Sequence, residues 1–442
     1  MTAIWWVRRD ARLGDNPALL EASSEHVAIP VFPWSPPIAL WSGRRRAHLA
    51  RVLWSLREDA GGALTVRRGT PADVLVATAR ESGSDTVWAQ REYSPSAQRE
   101  QDLVGMALAN AGIELNFIGS PYAVAPGRVV KGDGTAYQVF TPFSRAWRDA
   151  GWRAPAPRAD PSALRALDSD VSLDHQAAHG DADDLLAHQV EFREGRWLAT
   201  LEDFVSGDLD HYVEDRDRPD RAGTSGLSVP LAFGQIHART ILAATGRVNG
   251  SEARKFESEL AWREFHADVL FRHPTALRES LRTVAPDDAW ETGPSAEEAF
   301  IAWREGLTGF PLVDAGMREL KATGTMHNRV RMIAASFLIK DLHLPWQRGA
   351  AYFRRALLDY DHAQNQLNWQ WVAGTGRDAA PYFRVFNPDT QREKFDPGLA
   401  YVRRWVAELD TPAYPPRMLD HKVERERTLA DFKRGKLPSP QS

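Results

Sequence analysis

The chain has 442 residues, 43% hydrophobic and 26% charged, a globular composition long enough to build two or three domains. It contains no cysteine, which excludes disulfide scaffolds, thiol nucleophiles, Cys-ligated zinc and iron–sulfur clusters. The net charge of −4 hides an uneven spread: residues 321–442 hold 20 Lys+Arg against 13 Asp+Glu, net +7, whereas 159–220 hold 5 against 17, net −12.

A basic C-terminal part on a mildly acidic chain points to a localised anion-binding face, although solvated surface charge reads the same way. No run approaches the roughly 18 apolar residues of a membrane span. The opening Met1–Asp10 lacks the pattern of a signal peptide, so a cytoplasmic protein is expected.

The first 130 residues alternate short apolar runs with helical patterns. Ile4–Val7, Val27–Phe32, Leu64–Val66, Thr86–Ala89 and Leu115–Ile118 read as buried strands. Between them Pro17–Ser23, Arg45–Arg57, Pro71–Glu81 and Ala97–Ala111 read as helices. Asn16-Pro17 and Thr70-Pro71 each set a capping side chain before a proline at the first helical position. This alternation predicts a doubly wound parallel sheet over 1–130. Neither a Gly-x-Gly-x-x-Gly nor a Walker loop follows the first strand. Thr141-Pro142 marks a further helix through Asp149, and 131–195 reads as an interdomain linker. From 196 to 442 the chain is dense in helical periodicity and tryptophan and predicts an all-α domain, with Lys433–Ser442 as a frayed tail.

Four clusters in the helical part carry candidate chemistry. Gly223-Thr224-Ser225-Gly226-Leu227-Ser228, preceded by Tyr212 and Arg216, offers backbone N–H groups and hydroxyls to an anion such as pyrophosphate, although such a turn also simply starts a helix. Glu259, Trp262 and Arg263 share one helical face and combine base-edge, stacking and phosphate chemistry; a surface ion pair beside a core Trp is the plainer alternative. Asn328 and Met332 stand one turn apart in Met326–Met332, which equally suits core filling. Asp359-Tyr360-Asp361 runs into Asn365, Trp369 and Trp371; buried acids and amides need partners, and a capping pair of acids is the alternative.

At this last cluster the chain becomes recognisable. Trp6–Leu19, Gly309–Met317, Met326–Met332 and Gly376–Pro388, in this order, resemble consecutive blocks of the photolyase/cryptochrome flavoprotein family, most closely bacterial photolyases acting on cyclobutane pyrimidine dimers. The resemblance spans essentially the whole chain, with Val7 where the family usually has Phe and Ala11 where it has Leu. It implies an N-terminal α/β antenna domain, a linker and a C-terminal helical domain that buries one FAD. It further implies a light-driven lyase that flips the dimer out of DNA and splits a carbon–carbon bonded pair by electron transfer from excited, reduced FAD.

Residue by residue, the resemblance assigns Tyr212, Thr224, Ser225, Gly226, Leu227 and Ser228 to the phosphate and adenosine side of FAD, and Asp359, Tyr360 and Asp361 to its ribose and flavin. Asn365 stands where the family places the partner of flavin N5, a position held by Asp in plant-type and Cys in animal-type cryptochromes. A neutral amide there can turn either its oxygen or its NH₂ to N5. Glu259, Trp262, Asn328, Met332 and Trp371 match the dimer pocket; the related (6-4) enzymes carry His at the positions of Asn328 and Met332.

Arg216, Arg263, Arg329 and Gln391 would hold DNA phosphates, and Trp369, Trp346 and Trp290 would relay electrons to FAD. A second chromophore, a folate or a deazaflavin left undecided, would lie near Arg8, Trp34, Arg44–Arg46 and Arg91-Glu92-Tyr93. UV-damaged DNA is the expected partner of a monomer that needs neither metal nor membrane and joins the nucleoid at damage. A cryptochrome-like light sensor is the rival, although only about 55 residues follow Pro388, little room for a signalling extension. A photolyase preferring single-stranded lesions stays open, since unpaired DNA costs less to flip.

Overall fold

A computed structural model describes residues 2–173, 192–379 and 384–435. It divides into two compact units: Met1–Tyr137 with Thr141–Asp210 and Ser225–Pro274, and Gln138–Phe140 with His211–Thr224 and Thr275–Ser442.

The first unit is built on a five-stranded sheet, β1 (Thr2–Trp6), β2 (Val27–Trp34), β3 (Thr65–Arg68), β4 (Thr86–Ala89) and β5 (Glu114–Phe117), all parallel in the order β3-β2-β1-β4-β5. Helices α1 (Pro17–Ser24), α2 (Gly43–Asp59), α3 (Pro71–Ser82) and α4 (Pro95–Asn110) connect the strands. Every strand and helix expected from periodicity over 1–130 is present, with no end shifted by more than two residues. The expected caps form: Asn16 accepts from the Leu19 N–H and Thr70 from the Asp73 N–H. Central β1 is buried on both faces, as a parallel strand between helix layers must be. Its alternation sends Ala3 and Trp5 into one apolar layer and Ile4 and Trp6 into the other.

The segment after β1 shows why its residues run as they do. Buried Asp10 accepts from the Trp5 indole and the Arg8 N–H, and Asn16 donates to the Asp10 and Arg12 carbonyls. Gly234 packs against it with φ 76°, and a Cβ there would stand 2.0 Å from the Arg9 carbonyl oxygen, so only glycine fits.

Three local expectations change. The helix expected to begin at Thr141-Pro142 spans Phe140–Ala150, which leaves Pro142 inside the first turn, where its missing N–H costs no intrahelical bond. The described part of the expected linker, through 173, is tied to the sheet: Ala159 donates to Leu13, Arg165 to Ala28 and Asp170 to Val66. Its scarcity of large apolar residues disguised a strap held by backbone hydrogen bonds; 174–190 lies outside the described residues. Likewise Lys433 and Arg434 close the helix His421–Arg434 rather than fraying, and 436–442 falls outside the described residues.

The second unit is helical. Helices Pro311–Thr323, Asn328–Lys340, Trp346–Ala356 and His362–Ala373 enclose a core of Trp303, Phe310, Val313, Met317, Val330, Phe337, Phe353 and Trp369, all at most 3% exposed.

Candidate functional site

Within the second unit one cavity collects the chemistry. Asn328, Arg331 and Met332 line it from the helix Asn328–Lys340, Phe353 and Leu357 from the end of Trp346–Ala356, Asp359–Asp361 from the following turn, and Gln364, Asn365, Asn368 and Trp369 from His362–Ala373. The third and fourth sequence clusters therefore face one space, which spacing alone did not reveal.

The two acids do different work. Asp361 caps the helix His362–Ala373, its Oδ1 accepting from the Ala363 and Gln364 N–H groups at 2.9 and 3.1 Å. Asp359, whose side chain is only 4% exposed, forms a bidentate pair with Arg331, at 3.2 and 2.8 Å, and the Arg331 Nε donates to the Met326 carbonyl. The capping alternative thus holds for Asp361 alone. Arg331 was missed as a site residue; its helical phase, one turn after Asn328 and beside Met332, was the available signal.

Asn365 is buried, and its amide NH₂ is fully engaged. The Nδ2 group donates to the Ala350 carbonyl at 3.1 Å and to the Gln366 Oε1 at 2.7 Å, while the Gln366 Nε2 donates to the Leu277 carbonyl at 2.6 Å. With both Nδ2 hydrogens so placed, the carbonyl oxygen is the group of this amide without a partner among the described residues. Tyr360 is buried with its hydroxyl bonded to His362 Nδ1 at 2.9 Å.

His327 caps the helix Asn328–Lys340, accepting from the Arg329 N–H at 3.2 Å. Burial, with Arg329, Arg331 and Arg216 nearby and outweighing Asp217, pushes its imidazole down to about 4. Arg329 is itself occupied, pairing with Asp217 at 2.6 Å and lying 4.6 Å over the Phe395 ring. Arg216 also approaches Asp217, at 3.8 Å, and lies over Tyr212. Gln391 is half-buried on the helix Pro388–Phe395.

The three indoles expected to relay electrons lie in the second unit. Trp369 makes ring contacts with Phe353 at 5.0 Å and with Trp303 at 6.3 Å, an indole that sequence reasoning left out. Trp346 is buried and donates its indole N–H to Ser280, and Trp290 is half-buried against the same core. Trp371 is half-buried with Arg384 5.8 Å over its ring.

Of the remaining expected residues, Glu259, Trp262, Arg263 and Ser225–Ser228 belong to the first unit, and Tyr212 and Thr224 to the second. Glu259, Trp262 and Arg263 share the helix Ser251–Arg272 but not their neighbours. Glu259 pairs with Lys255 at 3.1 Å, Trp262 meets Phe265 and His266 edge-on or tilted, and Arg263 lies over Tyr122 while donating to the Pro121 carbonyl. Glu264 on that helix accepts from the Ala123 and Val124 N–H groups and the Trp147 indole, and burial pushes its carboxyl up to about 7. In the turn 223–228, Thr224 and Gly226 are exposed, Gly226 takes φ 65°, and Leu227 donates to Ser225. Tyr212 is buried, and Ser228 opens the helix Ser228–Phe233.

Of the residues expected near a second chromophore, Arg8 is consumed: it bonds Gln101, the Gln90 carbonyl and Glu100 and lies over Trp6. Trp34 is buried in the core, and Arg45 lies over Trp41. Arg91 and Tyr93 instead open on a wide cleft of about 830 Å³, together with Arg128, Arg153, Phe117, Tyr122 and Trp152. Among the described residues no cluster of three or more His, Cys, Asp or Glu can hold a metal, and no helix is long and apolar enough to cross a membrane.

The cavity suits a flavin: a free amide carbonyl can accept from a ring N–H, and polar side chains surround one aromatic wall. The comparisons agree. Residues 3–162 match the family described as DNA photolyase, and 256–413 match the FAD binding domain of DNA photolyase. A deoxyribodipyrimidine photo-lyase of Agrobacterium fabrum is 35% identical over 97% of both chains. The crystal structure of a class III photolyase from Agrobacterium tumefaciens superposes with a TM-score of 0.88 at 34% identity, covering 98% of each chain. A Synechocystis cryptochrome structure follows at TM-score 0.85 and 26% identity, covering 97% of this chain and 99% of that one. Because both family regions match in order and the Agrobacterium fabrum relative aligns over nearly its whole length, this chain belongs to the DNA photolyase family.

Proposed function

We propose that the chain is a light-driven repair enzyme that reverses cyclobutane pyrimidine dimers in DNA. The observation that supports this best is the single cavity in which Asn365 and the acid cluster stand beside Asn328 and Met332, neither of them His. The group these residues would hold is FAD, which in its reduced form would supply the light-driven electron chemistry of repair.

Around it the side chains bind, orient and exclude water. Asp359 with Arg331, Tyr360, Asp361 and Asn365 hold the flavin end, while Tyr212 and the turn Thr224–Ser228 hold the phosphates through N–H groups and hydroxyls. In the second unit Asn328 offers a polar group to a pyrimidine edge and Met332 and Trp371 offer apolar walls; in the first unit Glu259 and Trp262 carry the same polar and apolar chemistry. Arg216, Arg263, Arg329 and Gln391 meet the flanking phosphates; Arg263 and Arg329 must first exchange the Pro121 carbonyl and Asp217 for them. Trp369, Trp346 and Trp290 carry electrons to the oxidised cofactor. The cleft at Arg91 and Tyr93, cationic and aromatic at once, receives the second, planar anionic chromophore.

The deciding experiment is dimer reversal in a duplex oligonucleotide by purified, photoreduced protein under near-ultraviolet and blue light, with a dark control. Light-dependent loss of dimers supports the reading. Bound, photoreducible FAD with dimers untouched rejects it and favours the sensor that the Synechocystis likeness allows.

A further inference from the structure

We propose that Gln366 is a positioning residue that orients the Asn365 amide, so that the site presents a hydrogen-bond acceptor, never a donor, to the flavin ring. This rests on the reading of Asn365 as the flavin N5 partner.

The argument follows one chain of hydrogen bonds whose direction is set at both ends. The Leu277 carbonyl can only accept, so the Gln366 group 2.6 Å away must be its NH₂. The other end of that amide is then Oε1, an acceptor, and the Asn365 group 2.7 Å from it must be the NH₂. The second Asn365 Nδ2 hydrogen goes to the Ala350 carbonyl at 3.1 Å, again an acceptor only. An amide NH₂ has two hydrogens, and both are spent. Turning the Asn365 amide over would set its oxygen against two acceptors at once, a buried arrangement without compensation. The Asn365 oxygen has no partner among the described residues, and Asn365 lines the cavity, so the oxygen is the atom of this amide left to a ligand there.

An acceptor that cannot become a donor discriminates between flavin redox forms. The reduced ring carries a proton on N5 and can donate; the oxidised ring has a bare nitrogen there and meets the carbonyl with lone pair facing lone pair. Gln366 would thus favour the reduced form that repair requires, through Asn365 and without touching the ring.

The test measures the return of oxidised-flavin absorption in air after photoreduction, alongside FAD content. Gln366→Leu removes both bonds and frees the Asn365 amide to turn; FAD content should stay near the parent's while reoxidation runs about three- to tenfold faster, the worth of one oriented hydrogen bond. Gln366→Glu keeps an acceptor toward Asn365 and should restore most of the parent's slow reoxidation. In an Asn365→Ala background, Gln366→Leu should add nothing. If Gln366→Leu binds less FAD, Gln366→Met, of matching length, replaces it in the comparison. Parent-like reoxidation in the flavin-loaded Leu or Met variant overturns this inference alone. A parent protein that binds no FAD overturns the reading of the site and this inference with it.

Discussion

At the scale of single residues, partners decide which side chains can act. Glu259 has Lys255 as an exposed i,i+4 partner, a pair worth about 0.3–0.5 kcal/mol. Glu259→Ala should therefore leave the melting temperature nearly unchanged and FAD content intact while dimer reversal falls; equal loss of FAD would contradict its assignment to the lesion side. Asn365→Asp should bind FAD but fail to accumulate its reduced form in the photoreduction spectrum. A carboxylate would set its own charge against the anionic reduced ring and its oxygens against the Ala350 and Gln366 acceptors. Residue types were legible in sequence, since acids, amides and indoles crowd 359–371. Their pairing was not: Arg331 with Asp359, and Arg329 with Asp217, join residues 28 or more positions apart, and no local spacing encodes such contacts.

At the scale of elements, caps and close approaches set the geometry. His327 caps the helix Asn328–Lys340 as a neutral ring, held at about 4 against 6.5 when unfolded. The unfolded chain therefore binds this proton more readily between those values, so stability is complete above about 6.5 and falls as pH drops toward 4. His327→Asn replaces the ring-nitrogen acceptor with an amide-oxygen cap and should hold stability at pH 7.5 to within about 1 kcal/mol while flattening the acid slope, read from melting temperatures across the window. The second case is the pair of helices Trp346–Ala356 and His362–Ala373. A Cβ on Gly349 would stand 2.1 Å from the Trp369 ring. Overpacking of about 1–3 kcal/mol exceeds the helix-propensity gain of about 1, so Gly349→Ala should lower the melting temperature and shift the Trp369 ring. The caps Asn16 and Thr70 were readable because capping is local chemistry; the demand for glycine at 349 comes from a ring 20 positions away.

At the scale of the whole molecule, charge makes a measurable claim. The net +7 of residues 321–442 should make binding to UV-damaged duplex weaken with salt, by about 0.9 logarithmic units per decade of salt for each phosphate neutralised. Asp217→Asn releases the Arg329 guanidinium from its ion pair and should tighten binding irrespective of sequence while steepening that slope by about one contact. An unchanged slope in filter binding or fluorescence titration would remove Arg329 from the phosphate-contacting set.

Sequence alone determined the parallel sheet, its caps and the helical second half, because periodicity and capping depend on neighbours within a turn or two. Several long motifs in order also identified the family, since each block constrains residue types independently. Only the tertiary structure decided which side chains remain available. It consumed Arg8 in the first unit, occupied Arg329, and engaged the Asn365 NH₂ with Ala350 and Gln366. The physical reason is common to all three: a hydrogen bond or ion pair has a direction and a partner, and both are set by chain segments that folding brings together from far apart in sequence.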